Sequence, residues 1–298
     1  MHTMFLLTSS APDAQQRITE FCTKQMLNLS NWLSDDDCPA QAVLASGTEM
    51  SDISYLRDSA SSDAIDINLF TAENRLKRLL LADMDATIIR GESLDELAAL
   101  CGKGAEIAAI TAKTMAGDID FATGLDMRLS QLAGQPETLL QTVIDHTRFT
   151  SGAETLIATM RAHGAKCYLV SGGFNFLTSF VATRIGFHDH FANRLGISNG
   201  VLTGKAVPPL LDKDSKKQIL LEQAETLGIS VAEAICVGDG ANDGEMLSAA
   251  GLGVAFEGKP ALKQKIITQL DHTDLTGLLY LQGLTSDKFV HGIKNQPA

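Results

Sequence analysis

Three apolar runs in this chain stop at the same kind of place. Leu79-Leu80-Leu81-Ala82 ends at Asp83, Lys166 to Val170 ends at Ser171-Gly172-Gly173, and Ala234 to Val237 ends at Gly238-Asp239-Gly240. A near-continuous apolar run, as opposed to an alternating one, suits a strand covered on both faces. Ala153 to His163, Phe176 to Ile185, Ser215 to Leu227 and Glu245 to Ala250 have helical character, and Gly253 to Phe256 adds another strand. Strands alternating with helices make a parallel sheet with right-handed crossovers. The expected fold class is therefore α/β, a Rossmann-like parallel sheet core with helices on both faces. Ligands of such sheets bind just beyond the carboxyl ends of the strands. Polar segments spread from Asp83 to Asp243 are thus expected to meet in one crevice.

The remaining segments complete the layout. Ser93 to Arg148 holds no strand-rich run, and Leu94, Leu97, Ala98 and Leu100 line one side of its first helix. It reads as a helical cap, about residues 93–148, inserted after the first core strand. Phe191 to Thr203 holds two β-like runs around Asn199-Gly200, a hairpin signal. Residues 1–72 form an N-terminal region with room for a small α+β domain of unassigned role, and residues 73–298 the core domain. Within the former, Met4 to Thr8 reads as a strand, Ala14 to Trp32 as a helix and Ser59 to Asp63 as a loop; Ala72 to Arg78 favours a helix leading into the core.

A formal charge of −12 excludes a general nucleic-acid binder, which needs a basic face. An anionic substrate would need local cations to reverse that field. The five cysteines are scattered, with no Cys-x-x-Cys pair, which favours free thiols over disulfides or zinc. No basic stretch precedes an apolar run at the N-terminus, and no run reaches membrane-spanning length, so a cytoplasmic protein without membrane contact is expected.

Asp83 and Asp85 are spaced i, i+2 behind a buried strand, which in extended backbone puts both carboxylates on one side. Two acids so placed can divide labour as nucleophile and as general acid and base. A solvated turn is the plainer alternative, but charge abutting Leu79-Leu80-Leu81 is costly without a partner or metal. Asp239, Asn242 and Asp243 offer three acceptor side chains in five residues, which suits a hard cation with oxygen ligands such as Mg2+. A calcium EF-hand loop does not fit, because Ala241 and Ala250 stand where that loop needs ligands. Ser171-Gly172-Gly173 lets backbone N–H groups approach a phosphate ahead of a helix. Lys213, Lys216 and Lys217 crowd a helix start capped by Asp214 or Ser215, where cations oppose the helix dipole. One of them is expected to serve an anion and two to be surface charge.

In this order the four segments resemble the motifs of the haloacid dehalogenase superfamily, and within it those of the phosphoserine phosphatases. The likeness runs from about Leu76 to Leu281. Asp83-x-Asp85-x-Thr87 is similar to the first motif, Ser171-Gly172-Gly173-Phe174 to the second, Lys216 to the third, and Gly238 through Asp243 to the fourth. The resemblance implies an Mg2+-dependent hydrolase of O-phospho-L-serine, working through an aspartyl phosphate at the last step of serine biosynthesis. It implies Asp83 as nucleophile and Asp85 as general acid and base. Ser171, Gly172 and Lys216 would hold the transferring phosphoryl group, with Asn242 a further substrate contact. Asp83, the backbone carbonyl of Asp85 and Asp239 would hold Mg2+, with Asp243 orienting nearby groups. Glu92 would bind the substrate ammonium, Arg128 its carboxylate through a bidentate fork, and Phe121 would wall the pocket. The cap would close and exclude water.

Helix capping by Glu92 and a surface ion pair at Arg128 are the plainer readings of those two residues. Ala86, Ser93 and Gly244-Glu245 depart from the family's usual residues without removing a proposed catalytic group. The expected partner is a small-molecule substrate, with a homodimer left open. A relative acting on phosphothreonine or phosphohomoserine is one alternative, since a methyl or methylene is worth only about 1–3 kcal/mol of discrimination. A non-catalytic module binding Mg2+ and phosphate is another.

Overall fold

The computed structural model describes residues 3–47, 53–70, 75–116, 118–211 and 213–291. The chain opens with β1 (Thr3–Ser9), α1 (Ala14–Lys24), β2 (Asn28–Trp32), β3 (Gln41–Gly47), α2 (Ile53–Ser61) and β4 (Asp66–Leu69). The four strands pair antiparallel in the order β2-β3-β1-β4. Phe5 and Leu7 of β1 bury against Ile18, Phe21 and Cys22 of α1 and Leu56 and Ala60 of α2. The helix expected over Ala14 to Trp32 ends at Lys24, and Met26 takes a left-handed conformation (φ 54°) that turns the chain back into β2. The polar surface of β2 hides a strand whose stability comes from pairing with β3. The expected loop at Ser59 is the end of α2, pinned by buried Ala60. Of the helix expected over Ala72 to Arg78, residues 71–74 lie outside the described residues and 75–78 are not helical. There the backbone of Lys77 and Arg78 bonds to Gln282 and Glu233 as it feeds the core sheet.

The core begins with β5 (Leu79–Ala82), followed by four helices: α3 (Ser93–Leu100), α4 (Gly104–Ala116), α5 (Phe121–Ser130) and α6 (Leu139–His146). Then come α7 (Ala153–Ala162), β6 (Lys166–Phe174), α8 (Asn175–Ile185), β7 (Asp189–Ser198), β8 (Val201–Val207) and α9 (Lys213–Thr226). The chain continues through β9 (Ala234–Gly238), α10 (Gly244–Ala249), β10 (Leu252–Phe256), α11 (Pro260–Lys263), β11 (Thr268–Leu270) and α12 (Gly277–Leu281). The sheet order is β11-β10-β9-β5-β6-β7-β8, parallel except for the β7–β8 hairpin. Asn199 and Gly200 turn that hairpin with φ of 52° and 77°, as a two-residue turn requires.

Side chains on a strand alternate between faces, and β5 shows it. Leu79 and Leu81 join a cluster with Ile219, Leu220 and Ala224 of α9, Met246 and Leu247 of α10 and Leu262 of α11. Leu80 and Ala82 join another with residues of α7, α8 and α12. Both faces are covered, as the unbroken apolar runs require. The four helices after β5 leave and return on paired backbone: Ile89 bridges Phe149, and Arg90 N–H donates to the Arg148 carbonyl at 2.8 Å.

The N-terminal sheet docks on the core. Its second face puts Leu6 and Ala42 in one cluster with Tyr280, whose hydroxyl donates to the Ala40 carbonyl at 3.0 Å. At the sheet edges, the Asn68 amide of β4 donates to the Gln269 carbonyl of β11 (2.8 Å) and accepts from its N–H (3.0 Å). The buried carboxylate of Asp66 accepts from Asp271 N–H, His272 N–H and the Thr273 hydroxyl. Among the described residues, no helix is long and apolar enough to cross a membrane.

Candidate active site

Strand order decides which polar segments meet. β9, β5 and β6 are adjacent, so the segments leaving their carboxyl ends converge. Asp83 follows β5 with its N–H bonded to the Val237 carbonyl at 3.0 Å, one strand over. Its carboxylate Oδ1 accepts from Met84 N–H (2.8 Å) and meets Lys216 Nζ at 2.7 Å. Lys216 is 3% exposed and reaches Asp243 Oδ1 at 2.6 Å with the same ammonium. Asp243 Oδ2 accepts from Gly240 N–H at 3.0 Å, so both of its oxygens are committed. One carboxylate oxygen from each of Asp83, Asp239 and Asp243 lies within 4.8 Å of the others.

Gly238 makes this packing feasible. A Cβ there would fall 2.4 Å from Asp243 Cγ, so only glycine lets that side chain cross the end of β9. Lys216 comes from α9, which starts at Lys213, so Asp214 and Ser215 lie inside its first turn. Lys217 pairs with Glu245 on the surface at 3.3 Å, as expected of a peripheral lysine; the Lys213 side chain lies outside the described residues.

Asp85 turns away from this cluster. Its Oδ1 accepts from Ser93 N–H at 2.7 Å, and its Oδ2 from the Ser171 hydroxyl at 3.3 Å. Thus both aspartates are extended (ψ 158° and 136°), yet they serve different neighbours. Ser93 meets Asp85 through its side chain as well as its backbone N–H, and both contacts favour the charged carboxylate. Ser171-Gly172-Gly173 corrects the expected strand end: β6 runs on to Phe174 with a register shift against β7 after Val170. The α8 N-cap is Phe174, so the glycines are an irregular strand extension and not a helix start. A Cβ on Gly173 would sit 3.0 Å from Asp85 Oδ2, whereas Gly172 has nothing within 4 Å of that point.

Charge in this crevice is under-compensated. Burial pushes the Asp83 carboxyl well above the ordinary range, and Asp243 pushes it further, against the pull of Lys216. Burial disfavours the Lys216 charge, but Asp243 and Asp83 more than offset it and keep the lysine protonated. Burial also raises Asp239, opposed by Lys259. Asp85 is pushed up to about 6, first by burial and then by Glu92, with the Ser93 N–H opposing. Three clustered carboxylates around one buried ammonium fit a bound cation, whose charge would relieve the desolvation.

Glu92 stands at the start of α3 and Arg128 near the end of α5. Glu92 occupies the N-cap position of α3 but its side chain makes no capping bond; its Oε1 lies 3.3 Å from Lys259 Nζ. Arg128 of α5 is half-buried, with Nε donating to the Gly124 carbonyl at 3.2 Å. Burial lowers its pKa, while Asp95 and Glu92 pull it back up, so Arg128 and Glu92 share one neighbourhood. Among the described residues Arg128 makes no ion pair within 4.0 Å. Asn242 is exposed in the turn Ala241–Asp243. Phe121 begins α5, and its side chain lies outside the described residues.

One residue of the crevice has no motif to announce it. Lys259, after β10, lies 2.9 Å from Asp239 Oδ2 and links it to Glu92. Lys259-Pro260 reads as a turn, and its partners are distant in sequence.

The profile of haloacid dehalogenase-like hydrolases matches residues 77–251. The chain is 41% identical over 212 residues to the phosphoserine phosphatase of Lactococcus lactis, covering 71% of this chain and 98% of that one. It is 40% identical over 211 residues to phosphoserine phosphatase SerB2 of Mycobacterium tuberculosis, covering 71% of this chain but only 52% of that longer protein. The crystal structure of a probable phosphoserine phosphatase from Vibrio cholerae superposes with a TM-score of 0.79 at 26% identity, covering 94% of this chain and 86% of that one. That last match takes in the N-terminal sheet as well as the core.

Proposed function

Because the chain belongs to the haloacid dehalogenase-like hydrolase family, we propose that it is an Mg2+-dependent phosphatase that converts O-phospho-L-serine to L-serine and phosphate. The observation that carries this reading is the pairing of buried Asp83 with Lys216, beside an Asp85 whose carboxyl keeps its proton up to about pH 6. Asp83 attacks phosphorus, forming the Asp83 O–P bond as the P–O bond to serine breaks. Asp85 gives its proton to the departing serine oxygen. A water then attacks the aspartyl phosphate, passing its proton to Asp85, and Asp83 leaves as the carboxylate. The water oxygen ends in inorganic phosphate, and Asp85 is protonated again.

Lys216, Ser171 and the Gly172 N–H hold the phosphoryl oxygens, with Asn242 at the rim. Removing one such donor costs about 10²–10³ in turnover in comparable sites. Asp83, Asp239 and the Asp85 carbonyl would hold the metal, with Asp243 orienting Lys216. Bound there, the cation would neutralise developing charge on the phosphoryl oxygens. Glu92 takes the substrate ammonium and Arg128 its carboxylate; the family resemblance assigns the apolar wall to Phe121. This assignment places the protein at the last step of serine biosynthesis, in the cytoplasm.

The test is phosphate release from O-phospho-L-serine, with Mg2+ and after EDTA, beside sugar phosphates and nucleotides. Turnover of phosphoserine that EDTA abolishes and Mg2+ restores is expected. No release from phosphoserine with Mg2+ present ends this reading.

A further inference from the structure

The root of the cap is joined to the core by two ion pairs of opposite polarity. Arg90 Nη1 meets Glu257 Oε1 at 3.0 Å, and Glu92 Oε1 meets Lys259 Nζ at 3.3 Å. The residues are i, i+2 on both segments, so base-then-acid at the cap root faces acid-then-base on the loop after β10. The Glu92–Lys259 pair alone is half-exposed and would be worth little. What distinguishes it is how Lys259 is held. Its backbone N–H donates to the Asp239 carbonyl at 2.8 Å, and its ammonium meets Asp239 Oδ2 at 2.9 Å. Pro260 favours an extended conformation at the residue before it, and Lys259 has ψ 149° as the N-cap of α11. The ammonium is therefore placed before Glu92 arrives, and little side-chain freedom is lost in making the second contact.

We propose that Lys259 is a positioning residue for substrate selection: it sets Glu92 at the mouth of the crevice, in register with Asp239, so that the carboxylate is ready for a substrate ammonium. This rests on the assignment of Glu92 to the amino group of phosphoserine. Glu92 Oε1 faces Lys259, and the carboxylate's remaining acceptor sites serve the incoming ammonium. A substrate without an ammonium gains nothing from this arrangement. Arg90–Glu257 holds the same segment from the other side and keeps the cap root in place.

The experiment compares O-phospho-L-serine with phenyl phosphate, which carries no ammonium, in wild type, Lys259→Met, Lys259→Arg, Glu92→Gln and the double variant Lys259→Met/Glu92→Gln. Loss of Lys259 also touches Asp239, and that part acts on both substrates alike. The ratio of their KM values isolates the Glu92 part. Lys259→Met is expected to raise KM for phosphoserine about fivefold relative to phenyl phosphate. Lys259→Arg should restore most of the ratio, and in the Glu92→Gln background Lys259→Met should leave the ratio unchanged. Equal effects on both substrates overturn the proposal, and so does a selective fall in phosphoserine KM, which would make Lys259 a competitor for Glu92. Absence of phosphoserine turnover in wild type would instead strike the functional assignment itself. A Glu92→Gln variant that keeps full selectivity would remove only the role of Glu92 and, with it, this one.

Discussion

At Lys216 one ammonium faces two carboxylates, 2.7 Å from Asp83 and 2.6 Å from Asp243, almost out of contact with solvent. Removing one partner from such a group leaves charge buried without compensation. Lys216→Met is predicted to abolish turnover and to cost about 3 kcal/mol of stability in denaturant titrations of the metal-free protein. Unchanged stability would mean that Asp83 or Asp243 takes up a proton at no cost. Asp85 allows a prediction with a definite sign. Its carboxyl is pushed up to about 6 by burial and additionally by Glu92. The protonated form delivers a proton to the leaving alcohol, so that half-reaction is present below pH 6 and is lost as pH rises through it. Glu92→Gln removes one raising influence and should move this fall to lower pH, read from single-turnover alcohol release from an alkyl phosphate. A shift to higher pH would contradict the burial-and-repulsion account. Much of this site was legible because aspartates and glycines behind apolar strands carry the chemistry and its geometry together. Lys259 was not legible: a lysine before proline says only that the chain turns.

The elements place these residues by how their strands end. β9 stops on Gly238, and Asp243 lies across the space that a side chain would need. Gly238→Ala is predicted to displace Asp243 and, through it, Lys216, lowering kcat by about 100-fold while the fold survives. A crystal structure or a methyl-resolved spectrum of that variant would show whether Asp243 moved; full activity would mean that the strand end relaxes instead. The β6 extension could not be read from sequence, because Ser171-Gly172-Gly173 signals an ending while the pairing of Phe174 with Asn193 continues the strand. The same blindness hid β2. Its exposed polar residues match a helix or loop as well as an edge strand, and only the partner β3 decides.

Taken whole, the molecule joins two sheets through α12 and β11. Tyr280 is fully buried beneath the N-terminal sheet, with its hydroxyl on the Ala40 carbonyl. Tyr280→Ala is predicted to cost about 3–5 kcal/mol, and to separate a thermal transition of the N-terminal sheet from that of the core in calorimetry. A single unchanged transition would show that the two units are held elsewhere. The interface was invisible in the sequence because Tyr280 and Ala40 are far apart and neither belongs to a motif.

The clasp between β4 and β11 reaches beyond stability. A parallel sheet that ends in open air offers its unpaired backbone to any extended chain that passes. Here the amide of Asn68 stands in for a neighbouring strand on Gln269, and Asp66 takes the next backbone donors, Asp271 and His272. On this flank side chains cover the border of the sheet, and Gln269, Asp271 and His272 have no backbone N–H left to start a ladder with a passing copy.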